Sequence, residues 1–201
     1  MIDRELTLEG FGVRLEPLSE GHLLELAARC NDECLWELPY SLNPFTTDAD
    51  ARKWLETALT LPNSVPFAIR DIETGETIGS TRYLDIEPAN RKLEIGWTFL
   101  QPDRWRTHVN TACKFLLLRH AFESGGCLRV QFKAEAVNLH SRRAIERIGA
   151  TFEGVLRKFR TRANGEVRDT SVYSVLDTEW PAVKTKLLTF LDRIPDIRVA
   201  G

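Results

Sequence analysis

Asn138 and Ser141 stand three residues apart in the run NLHSRRAIERI, on one face of the first turn of a helix. By themselves they are an N-cap and an ordinary helical serine, and the serine hydroxyl gains a chemical role only if that turn faces a ligand. A second group of reactive types is Arg104-Trp105-Arg106-Thr107-His108-Val109-Asn110-Thr111, directly ahead of a helical run. A helix start carries unpaired N–H groups and a partial positive charge, so such a segment either suits an anion or is a solvated loop. A third group is aromatic. Trp36, Tyr40 and Phe45 lie among prolines in the least regular part of the chain, residues 30 to 48. Aromatics in a loop either line a cleft that binds substrate or pin the loop to the core. Four cysteines (Cys30, Cys34, Cys113, Cys127) form one CxxxC pair and two lone members. That spacing reads as free thiols, with no metal site. His22 reads as a solvated first-turn histidine.

An alternation of hydrophobic period positions these residues. Leu93 to Leu100 is a short apolar strand, and Thr111 to Glu123 is helical and stopped by Gly125-Gly126. Leu128 to Lys133 alternates as a strand, and Asn138 to Ile148 is a helix ended by Gly149. This is a βαβα pattern, with Asn110 and Asn138 as expected caps. Upstream, residues 5 to 16 predict a strand broken near Gly10 to Gly12. A helix follows Ser19 with Leu23, Leu24, Leu26 and Ala27 as its buried stripe. Thr47 caps a helix over Asp48 to Leu59. Val65 to Arg70 and Glu76 to Leu84 form a hairpin turned by DIETG. Downstream come a strand over Thr151 to Arg160, a turn at Asn164-Gly165, a strand over Arg168 to Leu176 and a helix over Ala182 to Leu191. The tail from Pro195 is expected to be loose. The expected fold is mixed α/β (α+β): a central, mixed, mostly antiparallel twisted sheet flanked by helices, in a single domain spanning residues 1 to 201.

Charge and hydropathy narrow the function classes. A formal net charge of -2 over 201 residues argues against a general nucleic-acid binder. The set Arg142, Arg143, Arg147, Arg157, Lys158, Arg160 and Arg162 leaves open a local basic patch, as for attachment to a ribosome. The opening MIDREL has no apolar core of a signal peptide, and no run approaches the ~18 apolar residues of a membrane span. A cytoplasmic protein without membrane partners is expected.

Several segments in this order carry a family resemblance. They are VRLEPL (Val13 to Leu18), EIGW (Glu94 to Trp97), LLLRHAFE (Leu116 to Glu123), NLHSRRA (Asn138 to Ala144) through Gly149-Ala150, and EGVLRKF with RDTSVYSVLDTEW. Over residues 8 to 181 the chain resembles the GNAT-type N-acetyltransferases, of the branch of the ribosomal-protein enzymes RimJ and RimL. The resemblance implies a splayed central strand pair and acetyl-CoA, the acyl donor, held where the Glu94 and Leu128 strands part. It implies donor contacts from Trp97 and Phe99, from Arg104, Arg106, Thr107, His108, Val109, Asn110 and Thr111, and from Asn138. Relatives commonly carry glycines near the positions of Arg106 and His108, whereas this chain has none between Gly96 and Gly125. Arg104 and Arg106 could supply charge to phosphate in their place.

The resemblance also implies an acetyl transfer to a primary amine, such as the N-terminal α-amine of a protein or a small molecule. Ser141 would donate to the departing thiolate. Glu94 alternates onto the face of Gly96 and Thr98; it takes the amine proton if that face is the cleft, and pairs with a cation at the surface if it is not. Tyr173 is the alternative donor, or a core tyrosine. The competing reading is a non-catalytic acetyl-CoA-binding or ribosome- or protein-binding module that keeps the fold. A homodimer is possible through the C-terminal helix and an edge at the Val65 to Leu84 hairpin.

Overall fold

A computed structural model describes residues 2–36, 43–162 and 165–193. Its eight strands are β1 (Leu8–Gly10), β2 (Val13–Pro17), β3 (Val65–Asp71), β4 (Thr77–Glu87), β5 (Lys92–Leu100), β6 (Arg129–Glu135), β7 (Thr151–Thr161) and β8 (Val167–Leu176). They form a sheet in the order β1-β2-β3-β4-β5-β6-β8-β7, with every pairing antiparallel except β5 with β6. Its helices are α1 (Leu23–Arg29), α2 (Asp48–Thr60), α3 (Val109–Arg119), α4 (Leu139–Arg147) and α5 (Trp180–Leu191). This is the expected mixed α/β architecture with a mostly antiparallel sheet. No helix among the described residues is long and apolar enough to cross a membrane.

Two cores hold the sheet. One face packs against α3, α4 and α5 through Leu15, Phe67, Ile95, Phe115, Leu116, Phe132, Ile145 and Leu187. The other carries α1 and α2 through Leu18, Leu26, Phe45, Leu55 and Ala68. The strands covered on both faces read as continuous buried runs: Val65 to Ile69 of β3 and Thr77 to Leu84 of β4 are all buried. The hairpin these two strands form therefore has no free edge. β3 lies between β2 and β4, and β4 between β3 and β5, so the edge expected there for a dimer does not exist; the sheet ends at β1 and β7.

Local chemistry explains where the elements begin. Thr47 accepts from Asp50 N–H at 3.1 Å and caps α2 as expected. Asn138 accepts from Ser141 N–H at 3.0 Å and caps α4. Asn110 does not cap α3: the helix starts at Val109, and its entry is held by Thr107 Oγ1, which accepts from Val109 N–H at 3.3 Å and donates to the Arg104 carbonyl at 2.7 Å. His22 is buried, contrary to the solvated reading. Its Nδ1 accepts from Ser19 N–H at 3.1 Å, doing the work of the absent glutamate in a capping box, and its Nε2 faces Glu16 at 2.9 Å. Leu24, expected in the buried stripe of α1, is 82% exposed; the turn Glu20–His22 preceding α1 is 3-10, and the helix presents Leu23 and Leu26 instead.

The bend that matters for function is in β5. Arg82 pairs with Gly96 and Ser80 with Phe99, so Trp97 and Thr98 together oppose Thr81 alone. Trp97 has φ 50°, in the left-handed region. The inserted residue reverses the alternation. Gly96 and Phe99 share the α1/α2 face, whereas Thr98 turns to the α3 face, where its Oγ1 accepts from Lys114 Nζ at 2.5 Å and lies 2.7 Å from Thr81 Oγ1. The expectation that Glu94, Gly96 and Thr98 share a face therefore fails at Thr98. Gly79 on β4 is required here, because a Cβ would collide with the Phe99 carbonyl oxygen.

Lys114 is the one charged residue among the nine buried residues of α3. Burial pulls its ammonium down to about 8 from 10.5. The folded value is depressed, so between pH 7 and 9 the unfolded chain binds more protons than the folded one and stability rises with pH. A gain of about 1 kcal/mol over that window is expected from this lysine. Lys114→Met should remove that gain and be more stable at pH 7. Urea midpoints of both proteins at the two pH values check it, and parallel pH dependence would rule it out. Above pH 9 the buried Cys30 and Cys113 thiols, pushed up to about 12 by burial, act in the opposite sense.

Candidate active site

β5 and β6 pair only at Lys92↔Arg129, Leu93↔Val130 and Glu94↔Gln131, although β5 continues to Leu100 and β6 to Glu135. Beyond Glu94 and Gln131 the strands part, which is the expected splay. The chain leaves β5 towards α3 and leaves β6 towards α4, so both helix N-termini stand at the open end of this wedge. At the start of α3 the backbone N–H groups of Asn110 and Thr111 donate to no protein acceptor among the described residues. They are the orphan donors that a helix start presents to an anion.

The loop between β5 and α3 keeps its turn without glycine. Arg106 takes φ 60°, a backbone conformation glycine adopts freely. Its side chain is exposed and forms no ion pair among the described residues. Arg104 is committed elsewhere, to Asp71 at 3.1 Å. His108 is half-buried, and burial holds its imidazole below the usual value. Trp105 donates from Nε1 to the Leu100 carbonyl at 2.9 Å and lays its ring 5.9 Å from that of His140 on α4, bridging the two sides of the open end. Arg106→Gly is expected to relieve the left-handed strain and stabilise the fold by about 0.5–1 kcal/mol. The same change should weaken acetyl-CoA binding if the guanidinium meets phosphate. Thermal unfolding and titration of the one variant read the two effects separately; lost stability would show that the residue is not strained.

Glu94, at the last paired row, is 5% exposed. Its Oε2 receives Lys133 Nζ at 2.7 Å, and Lys133 also reaches Asp85 at 3.1 Å. Burial pushes the Glu94 carboxyl up, and Lys133 only partly opposes this. Burial also acts on Lys133, but its two carboxylate partners outweigh it and hold the ammonium above its ordinary value. A pocket of about 230 Å³ opens beside the pair, lined by Asp85, Glu87, Lys92, Leu93, Glu94, Gln131 and Lys133. Glu94 thus has a cation partner, yet it is buried and lines a pocket.

Ser141 is half-buried on the first turn of α4, above Asn138, which is buried. Tyr173 sits in the core. Its hydroxyl donates to Glu146 Oε1 at 2.9 Å and accepts from Arg142 Nε at 2.9 Å, so both partners come from α4. Burial raises the phenol above its ordinary value.

The predicted aromatic residues meet on the opposite side of the bulge. Phe99 lies 5.5 Å from Trp36, 6.0 Å from Phe45 and 5.8 Å from Trp54, ring centre to ring centre. The structure joins Trp36 and Phe45 to Phe99, which the family resemblance assigned to the acyl donor; Tyr40 lies outside the described residues. Trp54 of α2 completes the cluster. Arg82 and Lys133 were missed altogether. The signal for Lys133 was available, a lysine in an alternating strand paired with that of Glu94. None existed for Arg82.

Residues 13–151 match the family described as Acetyltransferase (GNAT) domain. A crystal structure from T. thermophilus, assigned as an acetyltransferase, is 40% identical and superposes with a TM-score of 0.85 over 95% of this chain and 100% of that one. YdaF of Bacillus subtilis, assigned as a ribosomal N-acetyltransferase, is 33% identical over 110 residues, which is 55% of this chain and 59% of YdaF. Mycobacterium smegmatis RimJ in complex with CoA-disulfide shares the fold at 21% identity, with a TM-score of 0.72 over 92% of this chain and 93% of that one. The wedge between β5 and β6, the helix start facing it and these matches agree, and the chain belongs to the GNAT acetyltransferase family.

Proposed function

We propose that this protein transfers the acetyl group of acetyl-CoA to a primary amine by direct attack, with the N-terminal α-amine of a protein as a candidate acceptor. The observation that carries the reading is the parting of β5 and β6 directly beyond Glu94, beside a buried carboxylate whose proton affinity is raised. Asn110, Thr111 and Arg106 would receive the pyrophosphate, and Asn138 would lie along the pantetheine arm. The donor supplies an activated thioester carbonyl.

The amine nitrogen bonds to the carbonyl carbon, the carbon–sulfur bond breaks, the nitrogen loses a proton and the sulfur gains one. Glu94 takes the first proton, directly or through water. An α-amine has a pKa near ~8, so a weak base suffices. Ser141 hydrogen-bonds the sulfur as it becomes thiolate and gives the second proton. Tyr173, engaged by Arg142 and Glu146, would orient α4. A loop without glycine is the best support for the non-catalytic alternative, and the left-handed turn at Arg106 weighs against it.

Calorimetric titration with acetyl-CoA, followed by an amine panel with detection of free thiol, tests the proposal. Binding and amine-dependent thiol release are expected. Binding without release from any amine would favour the non-catalytic acetyl-CoA-binding module, and no heat at millimolar acetyl-CoA would end both it and the transfer reading, leaving the ribosome- or protein-binding module.

A further inference from the structure

Arg82 lies on β4, on the α1/α2 face, and is 1% exposed. No carboxylate pairs with it among the described residues, and its Nε and Nη1 have no hydrogen-bond acceptor. The guanidinium lies over two rings, its carbon 5.4 Å from the centre of Trp54 of α2 and 4.6 Å from that of Trp97 of the bulge. Stacked rings stabilise the charge through their π faces but accept nothing from the in-plane N–H groups. Burial pulls the guanidinium down to about 10, as expected for a cation without a counter-charge. A buried charge is ordinarily paired, and the described residues supply this one with no partner.

The position indicates which partner. Arg82 is directly opposite Gly96, and Glu94 is two residues along on the same strand and face. Such diagonal neighbours are about 7–8 Å apart. Trp97, the outer of the two rings, is 46% exposed, so the approach to the guanidinium is from its side. A planar guanidinium whose Nε and Nη1 donors lack an acceptor among the described residues fits a carboxylate.

We propose that Arg82 determines acceptor specificity by receiving a carboxylate that the acceptor carries a few bonds from its primary amine, while the amine faces Glu94. This rests on the acetyl-transfer reading above. Two sources share the chemistry: a free α-amino acid, or a peptide whose first residue has an acidic side chain.

The test measures kcat/KM for two matched pairs, alanine against alaninamide and an amidated tripeptide beginning with Asp against one beginning with Asn. The wild type is expected to prefer the carboxylate member of one pair at least tenfold, and the responding pair identifies the source. In Arg82→Met that ratio should collapse to within threefold of unity, and Arg82→Lys should recover part of it. A wild type without preference in either pair overturns the proposal. So does an Arg82→Met variant that loses activity on both members equally and keeps the ratio.

Titration of tryptophan fluorescence in the presence of CoA reads the same preference without turnover. Tighter binding of the carboxylate member, abolished in Arg82→Met, supports the Arg82 assignment even if no amine is acetylated and the transfer reading fails. Equal binding of both members overturns it even if transfer is observed. Thermal unfolding of Arg82→Met is expected at or above the wild-type midpoint, since the change removes an unpaired buried charge, and Arg82→Gln gives a second variant should methionine not fold.

Discussion

Glu94→Gln should lower kcat/KM for amine acetylation about a hundredfold at neutral pH and leave acetyl-CoA affinity unchanged. Positioned bases contribute roughly 10²–10⁴-fold, and the low end applies because an α-amine is already partly deprotonated near pH 7. The pH profile carries more information than the rate. In the wild type the acidic limb should follow the Glu94 carboxyl, which burial places above the ordinary glutamate range. In the variant that limb should vanish, leaving only ionisation of the amine, so raising the pH should recover much of the lost rate. Folding is not expected to suffer. Lys133 keeps Asp85 at 3.1 Å, so removing the Glu94 charge strands no cation. The sign of the linkage agrees. A carboxyl raised in the folded state contributes stability that is complete below its unfolded value and is lost as pH rises through the folded value. Glutamine is neutral throughout and does not incur that loss. Should kcat and the acidic limb both stay unchanged, Glu94 is not the base, and its bond to Lys133 is the whole of its role.

The residues of this site differ in how far the sequence reveals them. The wedge was legible because β5, α3, β6 and α4 each show their own hydrophobic period, and Asn138 marks the start of α4 by its type. What failed were relations a one-dimensional pattern does not contain. Alternation assigned Thr98 to the face of Glu94, but one inserted residue at Trp97 reversed the parity beyond it. Bulges have no reliable signature when the left-handed residue is a tryptophan. Arg104 was free to meet phosphate in the sequence and is tied to Asp71, 33 positions away. The turn of the β3–β4 hairpin is legible in the sequence, whereas strand order, and with it the lack of a free edge there, is settled by which strands flank it. Arg82 is the extreme case. Its meaning is the lack of an acceptor among the described residues, which is visible only once those neighbours are placed.

Ser141→Ala is expected to lower kcat roughly ten- to thirtyfold with little change in acetyl-CoA affinity. The hydroxyl would donate to a sulfur that bears charge only as the carbon–sulfur bond breaks, so the interaction is weaker in the ground state and its loss falls on kcat. One such donor is worth ~2–4 kcal/mol in favourable oxyanion sites. A thiolate is softer and its parent thiol more acidic than an alcohol, which places the effect at or just below the low end. The fold should tolerate the change. The cap of α4 uses the backbone N–H of Ser141, donated to Asn138 Oδ1 at 3.0 Å, and alanine keeps that N–H. Alanine is also the better helix residue at a position inside the first turn. An ordinary helical serine predicts full activity and slightly raised stability, so kinetics and cofactor binding on one preparation separate the two readings. If the steady state is limited by product release, the loss appears only in the pre-steady-state rate of thiol formation, and an unchanged rate in that phase removes Ser141 from the mechanism.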